Sequence, residues 1–129
     1  MIDPSKIETV TRELDKLEFV NGIIGTAIVN RNGLTIISRL PRDIEERKFG
    51  AMAATMFEAM ETASTTLKDN LVNLTVEFED YQLVVYNVNA EIILVSLLEI
   101  NIDLGIVLIE IEECTKIINK ILKVEENSN

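Results

Sequence analysis

Glu91-Ile-Ile-Leu-Val-Ser-Leu-Leu-Glu99 decides the fold. Seven residues between two glutamates carry a single hydroxyl and no charge, which is too short for a helix of ordinary length and has none of the alternation of a half-exposed strand. A run of this kind reads as a strand covered on both faces, hence the middle of a sheet with helices on each side.

Working outward, Leu71 to Phe78 alternates, with Val72, Leu74, Val76 and Phe78 on one side and Asn73, Thr75 and Glu77 on the other, which is the period of a half-buried strand. Glu79-Asp80 turns the chain into a second run, Tyr81 to Val88, and Asn87 to Ala90 turns it into the central one. Upstream, Gly25 to Asn30 and Leu34 to Arg39 flank Arg31-Asn32-Gly33, and an Asn-Gly pair between two such runs marks a β-hairpin.

Three helices account for the rest. Asp3-Pro4 caps a short amphipathic helix that buries Ile7, Val10, Leu14 and Leu17 and stops before Asn21-Gly22. Asp43 with Glu46 three residues on forms a capping-box variant opening the longest helix, about Ile44 to Lys68. Its main apolar face is Phe49, Met52, Ala53, Met56, Met60, Ala63 and Leu67. A second stripe, Gly50, Ala54 and Phe57, lies beside it and continues toward Glu61 and Thr65. The methionines, at this spacing, read as core; the second stripe reads as a dimer contact. The last helix, Asp103 to Lys123, has Val107, Ile111, Cys114, Ile118 and Ile121 on its seam, with acids early and lysines late as the helix dipole favours. Residues Glu125 to Asn129 read as a frayed tail.

The fold class is therefore α+β: one domain over residues 1–129, in the order α-β-β-α-β-β-β-α. A five-stranded antiparallel sheet is sandwiched between the long central helix and the two terminal helices. The runs Leu71–Glu79 and Leu34–Arg39 fit the edges. An open edge strand is a template for pairing. A homodimer joining Val72, Leu74 and Val76 edge to edge, and Gly50, Ala54, Phe57 and Glu61 helix to helix, would use both the edge and the second stripe.

Composition narrows function. The 129 residues include 22 Asp and Glu against 12 Lys and Arg, a net charge of -10, and no Lys or Arg lies between Lys68 and Lys116. That balance argues against a nucleic-acid binder, whose affinity comes from clustered cations. The longest uncharged run, Phe19 to Asn30, falls short of the roughly 18 apolar residues of a membrane span. The N-terminus lacks an apolar signal segment, so a cytoplasmic location without membrane insertion is expected. With no histidine and a single cysteine, Cys114, the chain lacks an imidazole base, a His-ligated zinc and any internal disulfide. No cofactor, metal or catalytic residue is expected.

Other motifs carry little. Gly22, Gly25 and Gly33 open no helix and so cradle no phosphate. Glu77, Glu79 and Asp80 lack calcium-loop spacing. Arg31, Arg39, Arg42 and Arg47 read as solvated surface rather than an arginine finger. Asn73-Leu74-Thr75 is a glycosylation sequon inside a strand, the acidic run from Asp69 to Glu113 reads as a solvated face, and Cys114 reads as core.

In order along the chain, the segments Asn21-Gly-Ile-Ile-Gly-Thr-Ala-Ile-Val-Asn-Arg-Asn-Gly33-Leu, Gly50-Ala-Met-Ala-Ala-Thr-Met-Phe-Glu-Ala-Met60, Leu74-Thr-Val-Glu77 and Leu104-Gly105 resemble the Roadblock family, over roughly Ile7 to Ile121. The resemblance, to the branch that includes prokaryotic regulators of small Ras-like GTPases, implies a dimer through the central helix and third strand. It also implies a non-enzymatic scaffold or GTPase co-regulator, with the paired central helices as a platform for the partner. A small-molecule-sensing antiparallel-sheet domain, with a cavity between sheet and helix, is the alternative.

Overall fold

The computed structural model describes residues 2–127, with side chains in the last helix as far as Lys123. The elements are α1 (Pro4–Leu17), β1 (Ile23–Asn30), β2 (Thr35–Ser38), α2 (Glu46–Leu67), β3 (Asn73–Glu77), β4 (Tyr81–Asn87), β5 (Ile92–Glu99) and α3 (Leu104–Asn127). All five strands form one antiparallel sheet in the order β2-β1-β5-β4-β3. The uncharged run is indeed its central strand, and the two predicted edges are its edges.

Each residue of β5 from Ile92 to Leu98 is buried. Ile92, Leu94 and Leu98 pack with Ile28, Val84, Val10, Leu14, Ile111 and Ile118 beneath the α1/α3 pair. Ile93, Val95 and Leu97 pack with Ala27, Val29, Leu83 and Val85 beneath α2. Alternate side chains of one strand thus supply two cores, which is why it tolerates no charge. Facing one another in register, Thr26 and Ser96 put two hydroxyls into the α1/α3 side, both buried and without a hydrogen-bond partner among the described residues.

Local chemistry explains most boundaries. Asp3 caps α1, accepting from the Ser5 N–H at 3.1 Å, with Pro4 in the first turn. In the hairpin only Gly33 adopts positive φ, at 91°, closing a turn in which its N–H donates to the Asn30 carbonyl at 2.8 Å. The hairpin is the one expected, with Arg31-Asn32-Gly33 as a three-residue loop and glycine alone in the left-handed position. The capping box at Asp43 and Glu46 is corrected. The chain turns once more after Pro41, where the Ile44 N–H donates to the Pro41 carbonyl, and α2 begins at Glu46 with no side-chain cap. At the far end α2 stops at Leu67, one residue short of the expected limit, with Lys68 in the left-handed conformation. α3 continues to Asn127, past the predicted end at Lys123, and the last two residues of the expected frayed tail lie outside the described residues.

The largest correction concerns which face of α2 meets the sheet. Gly50, Ala53, Ala54 and Phe57 are its buried residues, whereas Met52 and Met60 are exposed. Of the methionines read as core only Met56 packs on it, and Gly50, Ala54 and Phe57, read as a dimer contact, are instead packed within the protomer. Close approach is the reason. A β-carbon on Gly50 would collide with Thr35 Oγ1 and lie 3.1 Å from the Gly33 carbonyl oxygen, and one on Gly33 would lie 3.1 Å from the Ala51 Cα. Backbone meets backbone where α2 crosses the hairpin, and the Thr35 hydroxyl donates to the Glu46 carbonyl at 2.9 Å in the same contact. Small residues therefore serve the approach of helix to sheet, and Phe57 fills the space behind them.

Candidate protein-interaction surface

With the Gly50–Ala51 side of α2 against the hairpin, the 100° step of the helix turns Met52, Met56 and Met60 onto the opposite flank, in the direction of β4 and β3. Met56 is half-buried and packs on the α2 core, while Met52 and Met60 are 39% and 42% exposed. β3 continues the same apolar strip. Leu74 and Val76 are half-buried against the α2 core, and their same-face neighbours Val72 and Phe78 are 62% and 46% exposed. An unpaired strand edge thus lies on the side toward which an apolar helix flank is turned.

The outermost ridge of α2 extends this surface. Met52, Thr55, Ala59, Thr62, Ala63 and Thr66 are all exposed and none is charged, in a chain that is 26% charged. Of the residues singled out from the sequence, the structure brings Val72, Leu74 and Val76 to this surface and keeps Gly50, Ala54 and Phe57 beneath it. Glu61 is engaged within the protomer by Arg31. Sequence reasoning misses the exposure of Met52 and Met60; the available signal is that Gly50, Ala53, Ala54 and Phe57 recur at i, i+3, i+4 and i+7, a complete helical seam in its own right.

Arg31 is more than a solvated turn residue, which corrects that reading. Its guanidinium pairs with Glu61 of α2 and with the Asn87 side chain, donates to the Asn89 carbonyl at 3.2 Å, and sits 5.2 Å from the centroid of the Phe57 ring. One side chain thereby ties the β1–β2 turn, α2 and the β4–β5 turn together at one end of the sheet. Arg39 pairs with Asp15 and Glu18, joining the end of β2 to α1, and these partners raise its pKa, chiefly through the Asp15 hydrogen bond. Arg42 and Arg47 are exposed, as are all carboxylates of the Asp69–Glu113 run except the half-buried Glu112.

Cys114 is core. Burial, aided by the Glu13 carboxylate and opposed by Lys16, pushes its pKa up to about 12, and its Sγ lies 3.6 Å from the Glu13 carbonyl oxygen. Burial likewise raises the Tyr86 phenol, with Glu112 adding to the effect. Two outcomes follow from these raised values. At pH 8 the native thiol should resist alkylation and react only after unfolding. Because the folded pKa exceeds the unfolded one, near 9, the thiol's contribution to stability is complete below that pH and is lost as pH rises toward 12. Urea midpoints measured from pH 8 to 11 should fall, and should fall less steeply in Cys114→Ala.

Among the described residues no three His, Cys, Asp or Glu side chains are grouped to hold a metal ion, and no helix is long and apolar enough to cross a membrane. A cleft of about 720 Å³, lined by Ile2, Ile7, Arg31, Leu34 and Ile36 among others, opens at the surface beside the start of α1 and the hairpin turn. Its walls join the first turns of α1, at Pro4 and Ile7, to the sheet at Asn30 and Ile36, on the side of the sheet that α1 and α3 cover.

Fold and surface together define a small α+β domain with one helix on one face of its sheet, a helix pair on the other, and an open apolar edge. The model of the Roadblock/LC7 domain matches residues 7–97, and the chain belongs to that family. An uncharacterized protein of Methanocaldococcus jannaschii is 33% identical over 111 residues, covering 85% of this chain and 94% of the relative. Among solved structures, MglB of Myxococcus xanthus superposes with a TM-score of 0.83 at 21% identity, covering 90% of this chain and 96% of that one. The gliding protein MglB of Thermus thermophilus superposes with a TM-score of 0.85 at 14% identity, covering 94% and 93%. At these identities the structural likeness is one of fold.

Proposed function

We propose that this protein is a non-catalytic, cytoplasmic interaction module that works as a homodimer and binds, scaffolds or co-regulates a small Ras-like GTPase. The observation that carries the reading is the surface joining the Met52/Met60 flank of α2 to the β3 edge. Apolar side chains and unpaired strand groups in one place suit an isologous contact, in which each copy offers the same patch to the other. Pairing two β3 strands would join the sheets into one of ten strands and bring the two α2 helices side by side. The uncharged ridge at Thr55, Ala59 and Thr62 would then face outward as the platform for a GTPase. Membership in the Roadblock/LC7 family supports this reading. So does the shared fold with MglB.

The test is a titration of the purified protein against the small Ras-like GTPases of its own organism, each loaded with GDP or a non-hydrolysable GTP analogue. Binding to at least one GTPase that depends on the nucleotide is expected. Absence of nucleotide-dependent binding to every one of them would reject the GTPase assignment while leaving the dimer question open to separate measurement.

A further inference from the structure

Beyond the α2/β3 surface, the outward face of α3 has no explanation in the fold. Val107, Ile111, Cys114, Ile118 and Leu122 satisfy the core, yet Ile106 and Ile109 are 58% and 60% exposed and Ile117 is 39% exposed. The exposed residues of the first half of this face, after Gly105, are Ile106, Ile109, Glu110 and Glu113; those of the second half are Lys116, Ile117, Lys120 and Lys123. Among the described residues, none of Glu110, Glu113, Lys116 and Lys120 takes part in an ion pair within the protomer. The face is thus an apolar row flanked by unpaired acids at one end and unpaired bases at the other.

Such a row is complementary to itself, in one orientation only. Two α3 helices side by side and parallel would set glutamates against glutamates and lysines against lysines. Antiparallel about a two-fold axis near Cys114 and Thr115, Glu113 of each comes within a turn of Lys116 of the other, and Glu110 within a turn of Lys120. The Lys120 and Lys123 stems then lie over Ile109 and Ile106. We propose that the outward face of α3 is a second homotypic docking surface, on which a second copy of this chain packs its own α3 antiparallel. It lies on the opposite layer of the sheet from α2, so it can be occupied while the α2/β3 surface is occupied, and it joins dimers to one another. The contact is small, three isoleucines a side, and belongs to the weak, transient class.

The experiment is sedimentation equilibrium of the native full-length chain from about 1 µM to about 1 mM, a range set by so small a contact, at low and high salt. The mass should rise by a further factor of about two across this range, and the rise should shift to at least about tenfold higher concentration between about 50 and about 500 mM salt, as screened pairs require. Ile106→Ser with Ile109→Ser should abolish the concentration-dependent step and leave the low-concentration mass unchanged. Glu110→Lys with Glu113→Lys should abolish it too, and adding Lys116→Glu with Lys120→Glu to that chain should restore it, because the antiparallel complementarity returns with its signs exchanged. Circular dichroism on every variant shows whether α3 remains folded. If α2/β3 pairing fails, the same step takes monomer to dimer and is still lost in the α3 variants. A mass constant to about 1 mM, a step that survives both pairs of substitutions in folded protein, or no restoration in a folded four-site variant would overturn the proposal.

Discussion

Replacing Phe57 by alanine is expected to lower the unfolding free energy by about 3–5 kcal/mol, the range for removing a fully buried aromatic side chain. Phe57 has no exposed surface, packs with Ala53, Ala54, Leu83 and Val85 between α2 and the sheet, and supports the Arg31 guanidinium. Set against a total of about 5–15 kcal/mol for a domain of this kind, that loss puts the chain near the edge of folding. Urea denaturation measures it, and Phe57→Leu, which keeps most of the volume, should cost under about 1.5 kcal/mol on the scale of conservative core swaps. A fully stable Phe57→Ala protein whose mass has halved would place this ring in an interface between copies, contrary to its position in the core.

The second large effect concerns assembly. Met60→Glu with Val72→Glu should weaken dimerisation at least about a hundredfold, since each copy would bring two charges against like charges in a contact that excludes water. Both positions face solvent in the protomer, at 42% and 62% exposure, so the variant should retain its helix and strand content. The change at Phe57 reads out folding and the change at Met60 and Val72 reads out assembly. That separation is what the observed orientation of α2 predicts and what the orientation expected from sequence would reverse.

The sheet is legible in the sequence because its evidence is local. A central strand with seven uncharged residues, an alternating edge strand and an Asn-Gly turn each state their environment through their own side chains. The rotation of α2 is not local. Two seams on that helix, Met52-Met56-Met60 and Gly50-Ala54-Phe57, are both consistent with a helical period, and the larger side chains favour the first. What selects the second is the backbone of Gly33 and Thr35, brought against Gly50 and Ala51 by the tertiary fold. The same holds for Arg31, whose partners Glu61 and Asn87 lie 30 and 56 residues away in the chain. Of the candidate interface, Leu74 and Val76 of β3 and Val72 just before it are readable from alternation and edge position, whereas the helix residues beside them require knowing which side of α2 the sheet has taken.

The placement of an exposed methionine flank beside an open strand edge is the basis for reading this protein as a paired module, and mass in solution tests it most directly. At low micromolar concentration and moderate salt, light scattering on the native chain should give about 29 kDa, twice the 14.5 kDa of one chain, and the Met60→Glu, Val72→Glu variant should give one chain's mass with its circular dichroism intact. A native mass of one chain, or a folded variant that keeps the mass of two, would contradict the account.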